Sequence, residues 1–144
     1  MKRYLATEKP STRPVDFLAD LRDQARPDPE DRALLERWER LTLTVRCALH
    51  AQEANYIRLY IASGQRLLKE GIGKPVPMYM RLLLTLIRTA EDVALPAQWR
   101  QMCAEHFDVP LARLRTLLAR RDPLALQAID CRAESARRQL LAGG

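Results

Sequence analysis

RQMCAEHFDVPLARLRTLLARR, residues 100–121, spaces its apolar side chains as two short amphipathic helices meeting at a tight corner. Cys103 and Phe107 fall on the inner face of the first helix. Leu114 and Leu117 fall on the inner face of the second, with Leu118 beside them. Ala104 stands where the helices come closest, and a small side chain is needed there. Val109 follows the turn and is apolar, as the corner demands. Asp108 falls in the turn, at a position expected to need positive φ, which Gly adopts best and Asn or Asp next. Pro110 is expected at or just before the start of the second helix, where its missing N–H costs nothing. Chain breaks at Pro96 and at Asp122–Pro123 set residues 96–122 apart as a two-helix unit.

This pattern resembles the helix-turn-helix module of DNA-binding proteins, with Ala104 as its fifth residue. The resemblance covers residues 100–121 only, and it departs from the module at Asp108, where a glycine is usual. It implies a second helix that lies in the DNA major groove. Leu111, Ala112, Arg115 and Thr116, near the start of that helix, are then expected to face the bases. Arg113, Arg120 and Arg121, with Arg100 from the first helix, complete the expected DNA-binding set. Arginine suits the task because it pairs with guanine edges bidentately or holds phosphates. No acidic residue falls between Val109 and Asp122. A plain helical hairpin with a solvated arginine face fits the same spacing.

The wider composition agrees with a folded helical protein. At 144 residues, 47% of them apolar, the chain can bury a core as one domain. Glycine and β-branched residues are scarce while Leu, Ala, Arg and Gln dominate, which favours helix. The fold class expected is all-α: a helical bundle with one long central helix and a C-terminal helix-turn-helix-like pair. A net charge of +6 and a pI near 9.6 suit a polyanionic partner. Arginine far outnumbers lysine, which also suits a GC-rich genome. Met1–Lys9 lacks the apolar core of a signal peptide. The longest largely apolar stretch, Leu82–Ile87 with Thr85 within it, is flanked by Arg81 and Arg88 and falls far short of a membrane span. Three cysteines without disulfide-type spacing suit a reducing cytosol. A cytoplasmic protein without membrane contact is expected.

Along the chain, residues 1–13 read as a flexible N-terminal arm, and 14–144 as a single all-helical domain. A short helix is expected from Pro14 to Arg26, with Val15, Leu18 and Leu21 on one face. Asp28 reads as an N-cap, followed by Pro29, Glu30 and Asp31 in an opening turn. From there the helical pattern runs to about Glu70, with Gly71 as its stop. Such a helix would reach ~60 Å. It therefore breaks, with Leu41–Val45 as the expected place, or it serves assembly. Its stripes, Leu34–Trp38–Leu41–Val45–Ala48 and Ile57–Ile61–Gly64–Leu68, suit either a homodimer through residues 29–70 or the core of a monomer. Further helices are expected over 76–93 and 124–141.

Other chemistry is sparsely signalled. Cys47 and His50 stand three apart, as do Cys103 and His106, so two helices could in principle present a Cys₂His₂ zinc set. The spacing is not that of a standard zinc module, and the corner claims Cys103 for the core, so no metal or cofactor is expected. There is no Gly-rich phosphate loop, HExxH or GxSxG, and His50 with Glu53 is an ordinary i,i+3 pair. An enzyme is not expected. The leading expectation is a dimeric DNA-binding transcriptional regulator of bacterial type. The alternatives are a helical protein-interaction module (adaptor, chaperone or anti-activator) and a non-specific nucleic-acid-binding subunit of a nucleoprotein complex.

Overall fold

A computed structural model of the chain describes residues 28–143. The chain divides into residues 1–32 and a compact unit, Ala33–Gly144. The expected arm over 1–13 and helix over 14–26 lie outside the described residues. Every regular element among the described residues is a helix: α1 Pro29–Arg46, α2 Asn55–Lys69, α3 Pro75–Glu91, α4 Ala97–Glu105, α5 Asp108–Leu118 and α6 Pro123–Gly143. None of these helices is long and apolar enough to cross a membrane.

Two helices start by the same device, an Asp-Pro pair. Asp28 Oδ1 accepts the Asp31 N–H at 2.8 Å, and Asp122 Oδ1 accepts the Ala125 N–H at 3.1 Å. Each aspartate thereby satisfies an amide that the first turn leaves without a helical partner. Pro29 and Pro123 follow as first helical residues, where no N–H is required.

The single helix expected over 29–70 is instead two helices, α1 and α2, separated by residues 47–54. The break does not fall at Leu41–Val45, which stays helical. Thr42 and Thr44 stay inside α1 and return their hydroxyls to the carbonyls of Trp38 and Arg40, each at 2.9 Å. The chain turns at Ala48, whose φ is +53°. Leu49 N–H bonds back to Thr44 O at 3.0 Å and Ala48 N–H to Val45 O at 3.2 Å. This is the Schellman arrangement, with alanine at the left-handed position that usually holds glycine. α2 ends in the same way, with Gly71 at φ +80° and Ile72 N–H bonded to Leu67 O at 2.8 Å. Ala48→Val should cost ~1–2 kcal/mol in a urea melt, because a β-branched side chain resists the left-handed region, while Ala48→Gly should be neutral or mildly stabilising. Equal stability of the valine and glycine variants would mean that Ala48 is not held at positive φ.

The central helix is α3, not a 29–70 helix. Met78, Tyr79, Leu82, Leu83, Thr85, Leu86, Ile87, Thr89 and Ala90 are all buried, so α3 hides most of its circumference. It packs against α2, α4, α5 and α6. Gly64 lets α2 approach closely: a Cβ there would stand 3.2 Å from Leu82 and Met78. Trp38 of α1 stacks on Tyr60 of α2, with ring centroids 6.1 Å apart. Trp99 of α4 is wholly buried and donates its Nε1–H to Val45 O at 2.9 Å, tying α4 to the last turn of α1. The continuous stripe on which a homodimer through 29–70 was expected is thus divided between two helices, and much of it (Trp38, Leu41, Val45, Ile57, Ile61) is spent on this core.

Candidate nucleic-acid interface

α4 and α5 form a corner joined by only His106 and Phe107. Cys103, Ala104, Phe107, Leu114 and Leu118 are buried there, at the inner positions that the spacing indicates. Burial pushes the Cys103 thiol up to about 12, so it stays protonated. The turn itself differs from expectation. Asp108 is not at positive φ, because it opens α5 as its first residue. A carboxylate is favoured at that end of a helix, and the Arg137 guanidinium bonds it at 2.8 Å. α5 consequently begins two residues before Pro110, which lies buried within its first turn, where proline is still tolerated. Val109, expected to serve the corner, is 43% exposed.

α6 braces α5 from behind. Arg137 pairs with Asp108 and lies over the Phe107 ring at 5.2 Å. Arg115 Nη2 donates to Asp130 Oδ1 at 3.0 Å. Arg132 pairs with Glu91 at 3.1 Å and so fastens α6 to α3.

The residues expected to meet DNA separate into two groups. Leu111 is fully buried in the core and has no access to a base. Arg100 is half-buried and donates Nε–H to Ala90 O at 2.8 Å, which satisfies a carbonyl in the last turn of α3. Arg115 is half-exposed but engaged by Asp130. Leu111 and Arg100 serve the fold, whereas Arg115 is at the surface with one terminal nitrogen on Asp130. Ala112, Arg113, Thr116, Arg120 and Arg121 are exposed. Arg113, Thr116 and Arg120 are spaced three and seven apart, which aligns them along one face of α5 and the turn after it. Among the described residues, Arg113, Arg120 and Arg121 form no ion pair. The acidic residues that flank the row in sequence are engaged elsewhere, Asp108 by Arg137 and Asp122 in capping α6. Thr116 bonds Ala112 O at 3.3 Å and keeps its hydroxyl at the surface.

The two Cys–His pairs do not combine. Cys103 is buried and Cys47 exposed, and His106 Nδ1 lies 2.8 Å from Met102 O. Among the described residues, no three His, Cys, Asp or Glu side chains stand as a metal-binding group. His50 stacks on Tyr56, with ring centroids 4.5 Å apart, and lies 3.7 Å from Glu53. Compared with protein-family models, curated proteins and solved structures, the chain matches none.

Proposed function

We propose that this protein binds duplex DNA through the exposed face of α5 and the turn after it, as a DNA-binding regulator. The observation that supports this most is the row Arg113, Thr116, Arg120 and Arg121, exposed and without carboxylate partners among the described residues. Guanidinium groups so placed are free to bond phosphate oxygens, the contacts that dominate DNA affinity. α6 is bonded to α5 through Arg115–Asp130 and Arg137–Asp108, so Arg113 and Thr116 are presented on a braced helix, with Arg120 and Arg121 on the turn that follows it. The helix-turn-helix resemblance supports the same reading through its buried corner, although the α4–α5 turn is shorter than the module's and lacks the positive-φ residue.

Fluorescence titration of a labelled duplex against the protein at several salt concentrations tests this. With about three phosphate contacts, the logarithm of the association constant should fall with the logarithm of salt at a slope near −3, since each contact contributes ~0.9. Operator-like selection would appear as uneven affinity among duplexes of equal length. Absence of binding at low salt would rule the reading out.

A further inference from the structure

We propose that the groove between α1 and α3 is a binding site for a small organic anion carrying an apolar tail or ring. Its cavity volume is about 510 Å³, and sites for small ligands run from roughly 300 to 1,000 Å³. Arg46, Arg81 and Arg88 line it, and among the described residues no carboxylate does. Between them Met80 and Leu84, both half-buried, supply an apolar floor.

Two of the arginines are held in position. Arg81 lies 4.3 Å above the Trp38 ring and bonds Glu39 at 2.6 Å. Arg46 bonds Asp92 at 2.8 Å. Each of these ion pairs uses one terminal nitrogen, and a guanidinium has five N–H donors, so both keep donors for a second anion. Their side chains remain 44% and 39% exposed. Arg88, one turn beyond Leu84, is exposed and has no ion pair among the described residues. It is the uncompensated charge of the site.

Pro77, Thr42 and Thr85 complete the lining. An amphiphilic anion answers both halves of the lining, its charged head meeting the arginines and its apolar part covering Met80 and Leu84. An inorganic anion leaves the floor in water, and a neutral hydrocarbon leaves the arginines unmatched.

This site shares no residue with the α5 face, so it stands or falls separately from DNA binding. The test is isothermal titration of octanoate into the full chain, beside acetate and octylammonium. Octanoate should bind at a single site, acetate ~10-fold more weakly or not at all, and octylammonium not at all, because both charge and apolar area are needed. Arg88→Glu should weaken octanoate ~10-fold or more, while Arg113→Glu on α5 leaves it unchanged. Arg88 is exposed and forms no ion pair among the described residues, so a circular dichroism melt of Arg88→Glu should match the parent. No octanoate binding, equal binding of octylammonium, or an affinity indifferent to Arg88→Glu would each overturn the proposal.

Discussion

Trp99→Ala should lower the unfolding free energy by ~3–5 kcal/mol, the usual loss when a large buried aromatic side chain is truncated. A domain of this size has only about 5–15 kcal/mol in total, so much of its stability is at stake. Trp99 is wholly buried, and its indole N–H is bonded to Val45 O. Truncation removes the ring from the core and that bond from the end of α1. Val45 O still accepts the Ala48 N–H, so no buried carbonyl is orphaned. Trp99→Phe keeps most of the apolar burial and should therefore cost less than half as much. Urea melts should show the midpoint falling with an unchanged m-value. A loss under ~1 kcal/mol for Trp99→Ala would mean that α4 is not anchored through this residue.

Arg113→Glu with Arg120→Glu should weaken duplex DNA binding by ~100-fold or more at low salt. Two attractive contacts become repulsive, so the salt slope should shrink by about 2. Both side chains are exposed and outside every ion pair among the described residues, so the fold should be unaffected within ~0.5 kcal/mol. Arg115→Ala gives the contrast. It frees Asp130 from its partner but removes no group from the exposed row, so affinity should change only slightly. If Arg115→Ala matched the double reversal, Arg115 would have to leave Asp130 to meet DNA.

Much of the helical frame is legible in the sequence because local chemistry fixes it. Asp28–Pro29, Asp122–Pro123 and Gly71 mark helix ends by mechanisms that need only neighbouring residues. The break after Arg46 is not legible, because an alanine occupies the left-handed position and nothing in CALHAQEA marks a turn. The strain at Ala48 is held by tertiary packing, including Trp99 on Val45, and no local rule reports it. α3 as the centre could have been found: Leu82–Ile87 holds five apolar residues in six, a density that marks a helix buried on several faces.

The candidate interface shows the same division. The burial of Cys103, Ala104, Phe107, Leu114 and Leu118 follows from spacing. The burial of Leu111 follows from it too, since Leu111 stands three and seven residues before Leu114 and Leu118; only the helix-turn-helix resemblance assigns it to the bases. Arg100 and Arg115 look like free charges until their partners, the Ala90 carbonyl and Asp130, are brought in by α3 and α6. The groove arginines are hidden for the same reason, since Arg46 and Arg81 meet only when α1 lies against α3.

The most direct measurement is a backbone amide NMR titration with a short DNA duplex at low salt, reading which residues shift as the complex forms. Shifts should concentrate in residues 109–121, strongest around Arg113, Thr116, Arg120 and Arg121, with the amides of α2 little changed. Shifts confined to α1 and α2, or none at a DNA excess, would show that the face of α5 does not bind nucleic acid.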